Sequence, residues 1–211
     1  MTRYSIAAAV AATLFLSPAA LRAGEDSSAA AEYQALNLTK DPKAAAAGEY
    51  ALDPHHTSVV AKLAHMDLSN YTLRFNDVKG HYAYDPAKPA ATAIEITIDP
   101  KSVDTGNGAF DKRIAERYFE AAKYPAITFT STAIKPTGDH GTVEGVLDFH
   151  GVRKTVALKL VYRGYTSAGD RMGFSGETTF KRSEFGVGIW VPLEADDVTI
   201  LIETEFVKTP D

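Results

Sequence analysis

Apolar and polar side chains alternate along most of the chain from Gly48 onward, in segments of roughly eight to twelve residues. Such a period of two is typical of β-strands that bury one face and expose the other. About eight strands follow from the pattern once residues 49–52 and 73–84 are included. The positions on the apolar faces are Val59, Ala61, Leu63, His65, Ile94, Ile96, Ile98, Ile127, Phe129, Val143, Gly145, Leu147, Phe149, Val156, Leu158, Leu160, Tyr162, Phe174, Gly176, Thr178, Phe180, Val198, Ile200, Ile202, Thr204 and Phe206.

Strands that each have one apolar face need a shared interior in which to bury it. An antiparallel sheet provides that interior by folding into a sandwich or by closing into a barrel, and closure also removes exposed sheet edges. Turn-forming residues occur where the chain must reverse, at Asp85-Pro86, Thr137-Gly138-Asp139, His150-Gly151 and Ala168-Gly169-Asp170. The sequence therefore predicts an all-β, antiparallel barrel.

One segment, residues 102–125, interrupts the alternation. Phe110, Ile114 and Tyr118 recur there at every fourth position, which indicates one face of an amphipathic helix. Pro125 ends the segment before the next strand begins. A short helix between barrel strands has to cover something, so we expect it near one mouth of the barrel.

The first 23 residues have the layout of a secretory signal peptide, with Arg3, an apolar run at residues 6–16 and small residues up to Ala23. The run has roughly half the ~20 residues that a membrane span needs, so we expect cleavage and no transmembrane anchor in the processed protein. Residues 24–47 are rich in alanine and alternate poorly, and we interpret them as an N-terminal extension. The barrel domain is then residues 48–211.

Composition removes several classes of function. The net charge is −5 and the basic residues are scattered among acidic ones, which argues against a nucleic-acid partner. The chain has no cysteine, which excludes disulfides, thiol nucleophiles and cysteine-ligated metal sites. We expect no cofactor.

Histidine is the remaining residue type that could supply a metal site. His56 and His65 are separated by an odd number of positions, so a regular strand would place them on opposite faces, and we expect no metal there. His65 shares a face with Val59, Ala61 and Leu63. It is either a buried, hydrogen-bonded histidine or a polar group that orients the head group of a ligand.

Motifs for catalysis are missing from the sequence. It contains no Gly-x-Ser-x-Gly elbow and no glycine-rich phosphate loop before a helix. The carboxylates of Glu144, Asp148, Glu203 and Glu205 fall on predicted solvent faces, where they do not form a general-acid pair. We therefore expect no catalytic residues.

Small residues at inward positions bear on whether the interior is filled. Most inward aromatic residues are expected to be core. Gly145 and Gly176 also point inward, and a glycine at an interior strand position removes side-chain volume. Together with Ala61, they favour space for a slender ligand in a barrel of this size.

Short motifs follow one another in a fixed order along the barrel segment. They are Asp53-Pro54 with His56, Ser58 and His65; Phe75-Asn76-Asp77 with Gly80; Ser102-Val103-Asp104-Thr105-Gly106-Asn107; Tyr118-Phe119; Lys123-Tyr124-Pro125-Ala126-Ile127-Thr128-Phe129-Thr130-Ser131; Gly145-Val146-Leu147-Asp148-Phe149-His150-Gly151-Val152 with Lys154; and Arg182-Ser183-Glu184-Phe185-Gly186. This ordered set, which covers roughly residues 48–207, resembles the YceI-like family.

The resemblance implies an extended lipocalin-like barrel in the periplasm that binds a polyisoprenoid or another long-chain amphiphile. It does not imply a catalytic mechanism, and members of the family are often homodimers. Ala61 departs from the family pattern, because a larger aromatic residue is common there. The candidate ligand-binding residues are Val59, Ala61, Leu63, His65, Phe129, Gly145, Leu147, Phe149, Leu158, Tyr162, Phe174, Gly176, Phe180, Ile200 and Ile202.

Two alternatives stay open at this point. The first is an enzyme that acts on a lipid or quinone-like substrate in the same cavity, for which His65 would need a neighbouring Asp or Tyr. The second is an assembly module of the cell envelope with a filled barrel. In that module Trp190, the single tryptophan of the chain, could serve an interface, although capping one end of the barrel is its simpler role.

Overall fold

The computed structural model describes residues 28–91 and 93–210. The predicted signal peptide at residues 1–23 lies outside this range. The described residues divide into two compact units, one that ends at Leu36 and one that begins at Asn37. In the first unit, residues 28–35 form helix α1, and Leu36 donates a backbone hydrogen bond to Glu32 at 3.2 Å at its end.

The second unit consists of strands, two helical turns that follow each other, and short 3-10 turns. The strands are β1 (Gly48–Leu52), β2 (Ser58–His65), β3 (Ser69–Phe75), β4 (Val78–Tyr84), β5 (Ala93–Ile98), β6 (Val103–Asp104), β7 (Ile127–Thr137), β8 (His140–Phe149), β9 (Val152–Thr166), β10 (Arg171–Lys181) and β11 (Asp197–Lys208). Helix α2 (Gly108–Arg113) continues directly into the π-helix Ile114–Tyr118. The 3-10 turns are Pro42–Ala44, Pro54–His56, Pro89–Ala91, Pro100–Ser102 and Arg182–Phe185. None of the described helices is long and apolar enough to cross a membrane.

Eight of the described strands form a closed antiparallel ring in the order β1-β4-β5-β7-β8-β9-β10-β11. Strand β11 closes it by pairing with β1, with Tyr50 opposite Lys208 and Leu52 opposite Phe206. The fold class predicted from the alternation is therefore confirmed. All of the paired strands run antiparallel, and their apolar positions face the interior as the period of two requires.

The barrel is extended at the end away from β1. There β11 pairs with β2 instead, β2 pairs with β3, and β3 pairs with the short β6. The expected single strand over residues 73–84 is two strands, because the chain bends at Asn76 and Asp77. The Asn76 amide donates to Asp104 at 3.0 Å and its backbone N–H donates to Ser102, which takes this residue out of the β2 ladder.

The helical segment begins two residues earlier than its apolar period indicates. Asn107 caps α2 by accepting hydrogen bonds from the backbone N–H groups of Ala109 and Phe110. Ile114 and Ala115 are buried, at 4% and 7% exposure. The predicted helix at one mouth of the barrel is confirmed, and this mouth is called the helix end below.

The opposite end of the barrel is packed with tyrosines and is called the tyrosine end. Its buried cluster consists of Ala45, Tyr50, Tyr82, Tyr162, Tyr165, Met172 and Phe206. The larger cluster lies toward the helix end and includes Phe75, Phe119, Phe149 and Phe185. Ring contacts run through both clusters, for example between Tyr82 and Phe206 with centroids 4.8 Å apart.

The segment just before β1 covers the tyrosine end. Thr39 and Tyr165 exchange two backbone hydrogen bonds, and the Tyr84 hydroxyl donates to the Pro42 carbonyl at 2.8 Å. Ala45 is 2% exposed within the tyrosine cluster. The sequence pattern assigned residues 24–47 to an extension outside the barrel domain. This segment pairs through a single bridge, between Thr39 and Tyr165, and so has no period of two that would reveal the contact.

An ion-pair network holds the bend between β1 and β2 against the barrel wall. Asp53 caps the turn through the His55 N–H at 2.9 Å, contacts His56 Nδ1 at 2.8 Å, and accepts from Arg171 Nη1 at 2.6 Å. Arg171 Nη1 also donates to Glu205 at 2.6 Å. The hydrogen bond with His56, followed by those from Arg171 and the backbone, holds the pKa of Asp53 well below its ordinary value.

This depressed pKa predicts a pH-dependent stability. At pH 7 we expect Asp53→Asn to lower the free energy of unfolding by about 1–2 kcal/mol, because charge-assisted hydrogen bonds are lost. The difference should shrink as the pH falls from about 5, since the carboxyl of the unfolded chain takes up its proton before that of the folded chain. Urea titrations at several pH values measure it. Asp77→Asn, at a half-exposed carboxylate that pairs with Lys79, is the control. A deficit of Asp53→Asn that stays constant down to pH 3 would contradict the assignment.

Candidate functional site

The interior of the barrel holds an elongated cavity of about 880 Å³. Its lining reaches from Phe110 and Trp190 at the helix end to Pro42 and Tyr84 at the tyrosine end. The volume lies within the range of ordinary small-molecule pockets, and the lining is mostly apolar. The candidate residues that line it are Val59, Ala61, Leu63, His65, Phe129, Leu147, Phe149, Leu158, Tyr162, Phe174, Phe180, Ile200 and Ile202.

The two inward glycines do not open space for a ligand, and that interpretation needs correction. A Cβ on Gly145 would lie 2.3 Å from the ring of Phe129. Only glycine therefore leaves room for the Phe129 ring to lie across the strand. A Cβ on Gly176 would meet Leu160 at 3.3 Å and Ile202 at 3.4 Å. Neighbouring side chains fill both positions, and neither glycine is part of the lining.

The helix closes one side of the cavity. Phe110, Ile114 and Tyr118 all line it, as their spacing predicts. Arg113 lines it as well, with its guanidinium carbon 5.9 Å from the centroid of the Phe110 ring. Helical spacing places this arginine on the polar face, but it does not show that a long side chain can fold back over the mouth.

Polar groups at the tyrosine end are almost all occupied by the protein itself. The Tyr50 hydroxyl donates to the Ala46 carbonyl at 2.8 Å, and the Tyr82 hydroxyl donates to the Met172 sulfur at 3.0 Å. Burial raises the pKa of Tyr50 to about 12 and raises that of Tyr82 further. These phenols are therefore neutral at physiological pH. The ionisable side chains that line this half of the cavity, Lys43, Asp139 and His140, are exposed to solvent.

One phenol in this half is different. The hydroxyl of Tyr162 is buried and has no hydrogen-bond partner among the described residues. A buried polar group without a partner costs roughly 1–3 kcal/mol. We therefore expect Tyr162→Phe to be neutral or to raise the free energy of unfolding by about 1 kcal/mol.

Tyr84→Phe is the matched control for that prediction. It removes a hydroxyl that donates to Pro42, so it should lower the free energy of unfolding by about 1 kcal/mol. Both values come from urea titrations of the purified variants. A clear loss of stability in Tyr162→Phe would show that its hydroxyl has a partner after all.

His65 lies at the mouth of the cavity. Its Nε2 is 3.5 Å from a carboxylate oxygen of Glu194, and its side chain is 39% exposed. Of its two expected roles, the buried, hydrogen-bonded one is wrong, because β2 ends at His65 and the following turn carries the side chain out of the core. His56 belongs to the Asp53 network on the outside of the barrel, so the structure does not bring the two histidines together.

The Asp53 network resembles a metal site only in its residue types. Asp53, His56 and Glu205 place three ligand-type atoms within 4.8 Å of one another. Arg171 Nη1 lies 2.6 Å from both carboxylates, where a cation would have to bind. The cluster is therefore an ion-pair network around a guanidinium group.

Arg182 organises the loop that forms part of the helix-end mouth. This arginine is 8% exposed and donates hydrogen bonds of 2.7–2.9 Å to four loop carbonyls. The acceptors are Val187, Ile189, Glu194 and Ala195. In the sequence, Arg182 was only one residue of a family motif, and no role could be assigned to it. A charged residue type does not indicate that the side chain will be buried.

Trp190 lies on this loop, at the mouth of the barrel, where a residue that caps one end is expected. Its indole N–H is 3.3 Å from the Tyr118 hydroxyl, and it contributes to the cavity lining. The side chain is nevertheless 57% exposed, so it borders the opening and does not seal it.

The fold and the cavity define a class: a closed antiparallel barrel with an apolar, ligand-sized interior. The YceI-like domain model matches residues 50–206. A UPF0312 protein of Pectobacterium atrosepticum is 32% identical over 180 residues, which are 82% of this chain and 94% of that protein. A UPF0312 protein of a Shewanella strain is 36% identical over 153 residues, which are 69% and 80% of the two chains. The chain belongs to the YceI-like family.

Solved structures agree with this assignment. The crystal structure of BcnA from Burkholderia cenocepacia superimposes with a TM-score of 0.67 at 29% identity, over 73% of this chain and 98% of that chain. A polyisoprenoid binding domain from Saccharophagus degradans superimposes with a TM-score of 0.63 at 19% identity, over 76% and 98% of the two chains. At that identity, the second comparison supports the fold alone.

Proposed function

We propose that this protein is a carrier of the cell envelope that holds one long apolar molecule of the isoprenoid type in its barrel. The observation that carries the proposal is the continuous apolar cavity of about 880 Å³ between the helix end and the tyrosine end. A cavity whose lining runs from one end of the barrel to the other suits a chain-like ligand better than a compact one. The Saccharophagus degradans domain that shares this fold is named as a polyisoprenoid binding domain, which is the ligand class that we propose for this chain.

The energetics favour an apolar chain over a polar ligand. Burial of apolar ligand surface contributes about 25 cal/mol per Å², so about 400 Å² would contribute on the order of 10 kcal/mol before the costs of ordering. At the tyrosine end the phenols Tyr50, Tyr82 and Tyr84 are hydrogen-bonded within the protein. The ionisable residues that line this end, Lys43, Asp139 and His140, are exposed to water. Charged side chains that line the cavity near the helix end, Arg113 and Glu194, are better placed to meet a polar head.

Export to the periplasm is part of the proposal. It is supported by the signal-peptide layout of residues 1–23 and by the absence of cysteine from the sequence. Mass spectrometry of the N-terminus of protein from a periplasmic extract tests it. Cleavage near Ala23 is the expected result, and an intact leader on protein in the cytosol would contradict it.

The assembly-module and enzyme alternatives make different demands on the barrel interior. A filled barrel, which the assembly-module alternative requires, disagrees with the open cavity. The enzyme alternative needs a reactive polar pair beside the ligand, and the partner of His65 is Glu194 at the mouth. That pair is half-exposed, and we propose that it belongs to the rim of a binding site.

Ligand occupancy is tested by native mass spectrometry of protein released from cells without detergent. We expect a species with one bound apolar molecule per chain, which organic extraction removes. Extraction should lower the thermal midpoint, because a ligand that binds only the folded state stabilises it. A ligand-free species that also fails to take up an added C20 isoprenoid alcohol would contradict the proposal.

Filling the cavity should abolish binding without unfolding the protein. Ala61 is 6% exposed and its side chain faces the cavity. We expect Ala61→Phe to weaken binding of the C20 alcohol by about tenfold or more, because the added ring occupies volume that the ligand needs.

The matched control is Ala157→Phe, which adds the same ring to the exposed outer face of β9. This variant should bind like the parent protein. Circular dichroism and thermal midpoints of both variants show whether they fold. Equal affinity of the folded Ala61→Phe variant and the parent would place the ligand elsewhere.

A further inference from the structure

Six large apolar side chains are exposed around the helix-end mouth of the cavity. They lie on the β2–β3 turn and on the loop before β11, and they are Met66, Leu68, Ile189, Trp190, Val191 and Leu193, with exposures of 40–81%. A hydrogen bond of 2.8 Å from Met66 N to the Leu193 carbonyl joins the two segments. These six residues are called the apolar rim below. Soluble proteins seldom expose such a group together without a function for it.

The rim is continuous with the interior. Met66, Ile189, Trp190 and Leu193 are exposed to solvent and also line the cavity. Leu68 and Val191 are not part of the lining and extend the apolar surface outward. A ligand that leaves the cavity at this mouth therefore passes directly from one apolar surface to another.

The exposure of the rim is built into the fold. Arg182 holds the loop through its hydrogen bonds to four carbonyls, which fixes the backbone that presents these side chains. Trp190 has a φ of 67°, in the left-handed region that bulky residues rarely adopt. Strained positions of this kind persist where the surrounding structure enforces them, and they often mark functional sites.

The opposite end of the cavity has a different chemistry. The exposed groups that line it there include Lys43, Asp139 and His140, together with Pro89 and Pro136. A polar edge of this kind suits contact with water. The two ends of the cavity are therefore not equivalent, and the apolar rim marks the helix end as the docking face.

Charges beside the rim fit a phospholipid surface. Arg113 lines the mouth. The two acids of its helix are engaged, since Glu116 lies 3.8 Å from Lys112 and Asp111 accepts hydrogen bonds from the backbone N–H and the hydroxyl of Thr105. The phosphate that every phospholipid head group carries complements this arginine. Two acids at the mouth, Asp67 in the β2–β3 turn and Glu194 beside His65, oppose a large gain from anionic lipids.

We propose that the apolar rim docks onto the surface of a lipid bilayer, so that the apolar ligand passes between membrane and cavity without crossing water. Trp and Leu beside an arginine form the composition of interfacial membrane-binding surfaces. The proposal rests on the proposed function for the nature of the cargo, but docking itself is measured without cargo.

Trp190 makes the test direct, because it is the single tryptophan of the chain and lies on the rim. The full chain is mixed with phosphatidylcholine vesicles whose acyl chains carry bromine, which quenches indole fluorescence at close range. We expect quenching of Trp190 and a blue shift of its emission with vesicles. Attachment through any other part of the chain would leave Trp190 emission unchanged and would overturn the proposal.

Leu68→Asp separates docking from ligand binding, because Leu68 is 81% exposed and does not line the cavity. We expect it to weaken partitioning onto the vesicles by about tenfold or more and to leave uptake of a dansylated C20 isoprenoid alcohol from solution unchanged. Leu201→Asp on β11, away from the rim, is the control and should partition like the parent protein. Equal partitioning of all three proteins would overturn the proposal.

Transfer kinetics distinguish the remaining outcomes. If the rim docks, transfer of the dansylated alcohol from protein to vesicles should accelerate with vesicle concentration, and Leu68→Asp should slow it. A rate that is independent of vesicle concentration, in protein that still binds the alcohol, overturns docking and leaves the proposed function intact. Failure to bind the alcohol at all contradicts the proposed function instead.

A dimer by sedimentation equilibrium, with Trp190 shielded from acrylamide and unquenched by vesicles, assigns the rim to a second copy and also overturns docking.

Discussion

The division of strand β11 between two partners is the constraint on which the interior depends. One edge of β11 pairs with β10 along its whole length, and the other edge pairs with β1 near its end and with β2 near its beginning. The pairing of β11 with β1 closes the ring of eight strands, which leaves an interior wide enough for side chains or one slender ligand. The pairing of β11 with β2 extends the wall beyond the ring to the helix end. There the sheet no longer closes on itself, and the helix completes the enclosure.

The bend that permits this division is held by charge. β1 and β2 are consecutive in the chain, and Asp53 caps the turn between them while Arg171 ties it to Glu205 on β11. The same principle operates at the mouth, where a buried Arg182 satisfies carbonyls that the loop cannot pair with its own N–H groups. In both places a guanidinium group fixes irregular backbone with several hydrogen bonds, and the strands themselves need no such support.

The interior divides into two chemical halves as a result. Toward the tyrosine end, phenols such as Tyr50 and Tyr84 hydrogen-bond to the segment that covers the barrel and remain neutral. Toward the helix end, the wall is aliphatic and aromatic, and charged groups appear only at the mouth. An amphiphile would therefore bind with its tail toward the tyrosine end and its polar head beside Arg113.

Alternation along the strands was sufficient to predict the closed barrel and most of the cavity wall, because a period of two assigns each side chain to a face. It could not predict how much space the interior contains, which depends on neighbours across strands. Gly145 shows this, since the ring of Phe129 occupies the volume that the glycine leaves. Loops carry no period, so the covering role of Pro42 and the inward turn of Arg182 were not predictable from pattern.

A crystal structure of protein purified without detergent or lipid extraction tests most directly the claim that the cavity holds an apolar chain. We expect continuous elongated density between Ala61 and Phe174, with its end among the tyrosines and its head at the Arg113 mouth. Side chains such as Phe129 and Phe180 rearranged to fill the barrel, with no such density even after incubation with a C20 isoprenoid alcohol, would contradict the claim.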